Sequence, residues 1–405
     1  YFSPDLPKAY QISPFYHPIC ENGCLTVQTS AGEKRIGITR IHIEEDAGKL
    51  VHDDTHGTML DMNRCGVPLI EIVSEPDIRS AEEAVAYLRK LRAILTYTGV
   101  SDCKMNEGSL RCDVNLSIRH SGEPFGVRTE MKNLNSFQSV ERAIKAEYER
   151  QVAALEAGEE VVQETRRFDQ KTGKTSTMRR KENSADYRYF PDPDLPEVCL
   201  TDDDIAEIAA AIPTLPDARR EAYMRDYGLS AYAAEQLTAE RWLAEYFEEA
   251  AKLAASPIAV ANLLQGEAFA IISAQAADAD KRGVEPLEGR ASLPVSPANM
   301  AKLCDLISEG RVNSSTGKKI LAAMFADDCD PEAYAQRHEL FSVSDDGALQ
   351  AAINQVLTEN PTMVETYRKG KTNVEKALMG KAMAVLHGKA DPERLAMLLH
   401  ATLER

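Results

Sequence analysis

The chain changes character once, and that change limits the folds open to it. Up to about residue 197 strand patterns and helix patterns are mixed, whereas from Thr201 onward the sequence is nearly all helical and alanine-rich. The switch sits beside Pro191, Pro193 and Pro196, each of which lacks a donor N–H and fixes φ, so regular structure is interrupted there. Strands first and helices afterwards is the α+β pattern. A second break, Ser342 to Gly347, introduces the last helices. We therefore expect a mixed, largely antiparallel sheet domain over residues 1–200, an all-helical domain over 201–335 and a small helical tail over 336–405. With 405 residues, each part can have a core of its own.

The clearest strand runs from Ser109 to Arg119. Leu110, Cys112, Val114, Leu116 and Ile118 face one way, and Arg111, Asp113, Asn115, Ser117 and Arg119 the other. Residues His120 to Gly126 turn the chain toward a second alternating run through Val127, Thr129 and Met131, which predicts an antiparallel pair. Ser80-Ala81-Glu82-Glu83 is a capping box opening a helix with Val85, Leu88, Leu91 and Leu95 on one face, and Gly99 stops it. A second helix starts near Asn135 or Ser136, buries Phe137, Val140, Ile144 and Tyr148, and ends at Gly158. Thr172-Gly173-Lys174-Thr175 resembles the end of a phosphate-binding loop, but Phe168 stands where that motif needs glycine. It reads instead as the turn of a hairpin between Glu164–Phe168 and Lys174–Arg180.

Two carboxylates stand out against their surroundings. In Ile41-His42-Ile43-Glu44-Glu45-Asp46 an apolar strand pattern runs into three acids, and Glu45 keeps the parity of Ile41 and Ile43, so strand geometry selects it as the inward acid. Glu71 lies inside Pro68-Leu69-Ile70-Glu71-Ile72-Val73, a run that reads as a strand buried on both faces. A buried carboxylate must be paired, protonated or metal-bound. Glu71 thus either pairs with Arg64 or Arg79 or joins a second acid on a hard cation such as Mg2+, and the pattern leaves both open.

Charge and cysteine usage narrow the setting. A formal charge of −17 repels nucleic acid on average, so any RNA is met locally. The stretch Glu365 to Arg405 carries eight Lys/Arg against five Asp/Glu, including Arg368, Lys369, Lys371, Lys376, Lys381 and Lys389. It is either a solvated helix face or a place to hold phosphates. Cysteines at 20, 24, 65, 103, 112, 199, 304 and 329 lack a second pair at zinc spacing, which favours free thiols in a reducing compartment. No signal peptide and no apolar run long enough for a bilayer stand out, so a cytoplasmic protein without a membrane partner is expected. The opening Tyr1-Phe2-Ser3-Pro4-Asp5 is expected to lie inside a larger domain.

The stretches YFSPDLPKAYQIS, HIEEDAGKL, DMNRCGVPLIEIVSEPDIRS, GVSDCKMNEGSLRCDVNLSIR, EMKNLNSF, ETRRFD and DYRYFPDPDLP, in that order, together resemble the B subunit of the bacterial tRNA-dependent amidotransferases that correct Glu-tRNA(Gln) or Asp-tRNA(Asn). The resemblance is dense to about Pro196 and thinner to the end. It implies a cradle-shaped sheet domain, a helical domain and a tRNA-contacting tail, with Arg368, Lys369, Lys371, Lys376 and Lys381 as the contacts. It also implies a ligase that uses ATP and Mg2+, assembled with a glutaminase A subunit and a small C subunit. In that reaction ATP phosphorylates the mischarged side chain and channelled ammonia replaces the phosphate. Glu45 and Glu71 match the family's metal-binding carboxylates, and Arg111, Asn115 and Lys132 are the expected cradle for the nucleotide or acyl end. The family's G-L-E-x-H segment lies before the start of this chain. The alternative is a non-catalytic tRNA-binding scaffold within such a complex.

Overall fold

The structure is a computed structural model that describes residues 17–46, 48–53, 57–180, 199–275, 292–342, 346–386 and 388–404. The proline cluster at 191–196 lies outside the described residues. The chain forms two compact units, one running to Pro213 and the other starting at Thr214.

In the first unit the elements follow as β1 (Cys20–Thr29), β2 (Gly32–Glu45), β3 (Lys49–Asp53), β4 (Gly57–Asp61), β5 (Pro68–Ser74), α1 (Ala81–Thr98), β6 (Cys112–Leu116), β7 (Thr129–Leu134), α2 (Phe137–Glu156), β8 (Glu164–Asp169), β9 (Lys174–Arg180) and α3 (Asp202–Ala211). One sheet has the order β1-β2-β5, another β6-β7-β8-β9, and β3 pairs with β4 in a ribbon. All pairings are antiparallel except β7 with β8, which α2 connects as a crossover helix. The expected α+β class with a mixed, largely antiparallel sheet is therefore what the chain adopts.

The local signals act where they were read, with some differences. Ser80 caps α1 by accepting the Glu83 N–H, but the Glu83 carboxylate takes the Arg79 N–H at 2.7 Å, so half of the reciprocal box forms. Gly99, at φ 74°, ends the helix in the left-handed conformation that glycine adopts without strain. The strand expected from Ser109 to Arg119 shortens to β6. A register shift at Cys112/Val114 breaks its start, and the loop beyond it approaches so closely that a side chain at Gly126 would run into the Ile118 carbonyl. The hairpin β8–β9 forms as read, turning through Gly173 at φ 67°. Ile36, Tyr87, Leu88, Met131, Phe137, Val140 and Phe168 pack one core that joins both sheets to α1 and α2.

The second unit is helical: α4 (Pro216–Asp226), α5 (Ala231–Thr238), α6 (Arg241–Leu253), α7 (Pro257–Leu263), a π-helical turn (Leu264–Ala268), α8 (Phe269–Gln275), α9 (Pro297–Ser308), α10 (Ser314–Ala326), α11 (Pro331–Arg337), α12 (Asp346–Glu359), α13 (Pro361–Arg368), α14 (Val374–Val385) and α15 (Pro392–Leu403). The last four gather Leu349, Ile353, Leu378, Leu395 and Leu399 into a cluster of their own. One expectation is corrected here. Residues Pro257–Ala274 form a helical run of 18 residues with mean hydropathy 1.3, long and apolar enough by length and composition to cross a bilayer. Its Val260, Leu264, Ala268 and Ile272 form one fully buried face, while Gln265 donates to the Ala233 carbonyl and Glu267 pairs with Lys318.

Candidate active site

Strand β2 carries the first acids, and a bulge decides where they point. Its register with β5 slips between Ile38 and Arg40, so Thr39 is extra and the alternation is reset. Ile36, Ile38, Ile41 and Ile43 consequently share one face, and Glu45 joins them as parity requires. That face is not the buried one at this end, however. Ile43 is 43% exposed, whereas His42 is 1% and Glu44 4% exposed. β2 outruns the core beyond Ile41, and the opposite face is the one covered. The most buried acids of the run are therefore Glu44 and Asp46, at 4% and 8% exposed, whereas Glu45, the expected inward acid, is only half-buried.

The same register locates Glu71. It lies directly across from His42, with Glu44 across from Leu69 and Glu45 across from Pro68. Glu71 and Glu44 thus project from one face of the β2–β5 pair and Glu45 from the other. The structure brings Glu71 to Glu44 and sets Glu45 apart from it. Desolvation by the protein atoms around it and the neighbouring Glu44 charge push the Glu71 carboxyl above its ordinary range, against the pull of His42 and Arg40. A cation placed beside the two acids would relieve that repulsion. β5 is also less enclosed than its apolar run suggests, since Glu71 is exposed. Neither expected arginine partner reaches it: Arg64 binds Asp46, and Arg79 donates to the carbonyls of Pro76 and Ile78.

The other candidates lie on β6, its entry and β7. The polar face expected of this pair is present, with Asn115 across from Glu130 and the apolar Val114 across from Met131. Lys132 Nζ sits 2.6 Å from Asp113 and 3.1 Å from Glu130, and although burial opposes its charge, these two acids raise its pKa. Glu130 is fixed in turn by the Thr165 hydroxyl at 3.0 Å. Arg111, just before β6, reaches Asp46 at 2.9 Å, and Arg64 reaches the same Asp46 oxygen at 2.7 Å. Burial pushes Asp46 upward, yet the Arg64 hydrogen bond and the Arg111 charge hold its carboxyl below the usual range. Pattern reading gave Asp46, Asp113 and Glu130 no separate role, although Asp113 and Glu130 stand two residues from the expected cations Arg111 and Lys132.

Glu44, Glu71, Arg111, Asp113, Asn115 and Lys132 all line one open groove of about 2940 Å3, and Glu45 does not. The donor set suits a hard divalent cation, because two carboxylates crowded at one edge of the groove gain from a charge between them, and Mg2+ is commonly held by one or two carboxylates plus substrate oxygens. Among the described residues no third His, Cys, Asp or Glu completes a closed metal cage. In the tail, Arg368 ends α13, Lys369 and Lys371 follow it, and Lys376 and Lys381 lie on α14; all five are exposed, with Lys369 paired to Glu365 at 2.7 Å.

Comparison with known proteins places this arrangement. The family model described as the GatB/GatE catalytic domain matches residues 1–206, and that of the GatB domain matches residues 245–403. The chain is 47% identical over its whole length to the B subunit of the aspartyl/glutamyl-tRNA(Asn/Gln) amidotransferase of Caldicellulosiruptor saccharolyticus, of which it covers 83%. It is 48% identical over 98% of its length to the corresponding protein of Oleidesulfovibrio alaskensis, covering 82% of that protein, and 44% identical to that of Carboxydothermus hydrogenoformans, covering 83%. With both its sheet unit and its helical unit matched, the chain belongs to the B-subunit family of the aspartyl/glutamyl-tRNA(Asn/Gln) amidotransferases.

Proposed function

We propose that the groove of the first unit is where a mischarged carboxylate becomes an amide. The observation that supports this reading is that Glu71, Arg111, Asn115 and Lys132, from three segments of chain, all line one large groove. The reaction is the ATP-dependent amidation of Glu-tRNA(Gln), Asp-tRNA(Asn) or both, within a cytoplasmic complex of this chain with a glutaminase A subunit and a small C subunit. A carboxylate is a poor electrophile, so ATP first phosphorylates it, and ammonia released by the glutaminase then displaces the phosphate.

The residues divide that work. Lys132, held between Asp113 and Glu130, offers a compact cation to phosphate oxygens, and Arg111 a planar one. Asn115 presents both donor and acceptor, which suits an acyl group passing from carboxylate to amide. Glu71 supplies hard oxygen donors together with a second acid, for which the register favours Glu44 and the family motif favours Glu45. When bound there, Mg2+ would offset the charge of the polyphosphate as the carboxylate approaches it. Arg368, Lys369, Lys371, Lys376 and Lys381 contact the tRNA phosphates.

The test is substitution in the complete complex. Glu71→Gln is expected to lower kcat for Gln-tRNA(Gln) formation at least about 100-fold, with tRNA affinity within about twofold. Glu44→Gln and Glu45→Gln, assayed beside it, identify the second ligand. Unchanged turnover in Glu71→Gln would sink the catalytic reading and leave the chain a scaffold that positions tRNA.

A further inference from the structure

Asp46 follows the last residue of β2, and its backbone is fixed on both sides: its N–H donates to the Val67 carbonyl at 2.9 Å and its carbonyl accepts from the Gly66 N–H at 2.9 Å. From this anchored position Oδ2 meets Arg64 Nε at 2.7 Å and Arg111 NH2 at 2.9 Å. Two nitrogens on one oxygen are at most 5.6 Å apart, the sum of those distances, and a tetrahedral oxyanion can bridge such a gap.

The exposures run in the order such a seat needs. The Asp46 side chain is 10% exposed, that of Arg64 38% and that of Arg111 53%, so the carboxylate lies behind and the cations in front. Both arginines line the groove, two guanidinium groups facing the single carboxylate behind them. Arg64 also donates to the Glu107 carbonyl at 3.4 Å, tying the seat to the turn that leads into β6. No step of the reaction described above draws on Asp46 or Arg64.

We propose that Asp46 is a positioning residue that holds Arg64 and Arg111 side by side as a two-guanidinium seat for a phosphate oxyanion. The inference rests on the groove reading for the identity of that phosphate, not for the existence of the seat. The polyphosphate of the nucleotide is the favoured source, because Lys132 and Glu71 line the same groove. A backbone phosphate of tRNA has the same chemistry.

The experiment has a binding arm and a kinetic arm. Magnesium-free pyrophosphate is titrated into the chain by calorimetry at fixed ionic strength, and KM for ATP and for Glu-tRNA(Gln) is measured in the complete amidotransferase. Arg111→Ala and Arg64→Lys are expected to weaken pyrophosphate about tenfold, the lysine because it keeps the charge but loses the fork. Asp46→Asn separates positioning from simple charge balance. A positioning carboxylate predicts weaker pyrophosphate binding and a raised KM for ATP, although a negative charge has been removed. Tighter binding would overturn the proposal. A rise in KM for tRNA alone would keep the seat and assign it to a tRNA phosphate. Unchanged pyrophosphate binding in Arg111→Ala, whose side chain is 53% exposed, would overturn the seat itself. Should Glu71→Gln prove harmless, the catalytic reading fails while the pyrophosphate result still stands or falls by itself.

Discussion

Glu147 has no exposed surface, yet it is ionised. Burial opposes that charge, but Arg150, Gln151, Thr175 and Thr129 hydrogen-bond its carboxylate and pull its pKa down to about 2, with Arg166 3.2 Å away. A carboxyl lowered on folding contributes stability above its unfolded value near 4.5, and that contribution is lost as pH falls from there toward 2. We expect unfolding free energy to decline across that window by on the order of 3 kcal/mol from this group, measured by urea titration at several pH values. In Glu147→Gln the decline should flatten, while stability at pH 7 falls by about 3 kcal/mol as the contribution of the charged carboxylate is lost, Arg166 still keeping Glu164 as a partner. A variant as stable as the parent at pH 7 would refute this account. The sequence places Glu147 next to Tyr148 on α2 and favours the tyrosine as the core residue. The structure reverses them, with Tyr148 53% exposed, because α2 packs over strand ends that supply hydroxyls and arginines rather than apolar side chains.

At the scale of elements, close approaches and charge patterns give separate tests. In α10 a Cβ at Gly317 would come within 2.5 Å of Ile307 Cδ1 on α9. Gly317→Ala should therefore destabilise the helical unit by about 1 to 3 kcal/mol despite alanine's better helix propensity, as thermal unfolding would show. The same change at Gly380 on α14 meets no neighbouring atom, so it should be neutral or slightly stabilising. The turn after α13 and the exposed lysines of α14 carry the expected tRNA contacts. Charge reversal at Lys369 and Lys371 should weaken tRNA binding about tenfold and reduce the slope of affinity against salt by about two, one per phosphate contact, in filter-binding titrations. An unaltered slope would return these residues to an ordinary solvated surface. The sequence locates α1 and α2 well because capping, glycine stops and apolar period are local properties. It overextends the strand at Ser109 to Arg119, since strand ends are set by what a neighbouring strand and loop can reach.

The whole molecule is built around separate cores, and their independence is measurable. Leu378→Ala removes a fully buried side chain from the cluster of α12 to α15 and should cost about 2 to 5 kcal/mol there. Amide exchange is expected to rise across residues 346–403 while the core around Met131 and Phe137 keeps its protection; loss throughout would show a single cooperative core. The order of amino acids was enough to establish the change from mixed to helical structure, the ends of α1 and α2, the alternation of β6 and β7, and membership of an amidotransferase family. All of these rest on residues near one another in the chain or on motifs read in order. It took the packed chain to establish that the bulge at Thr39 resets β2, that Glu44 rather than Glu45 stands beside Glu71, and that one Asp46 oxygen holds two arginines. A periodic pattern states which side chains share a face, but the face that loses its water depends on segments distant in sequence, so the identity of an inward charge follows from packing and not from parity.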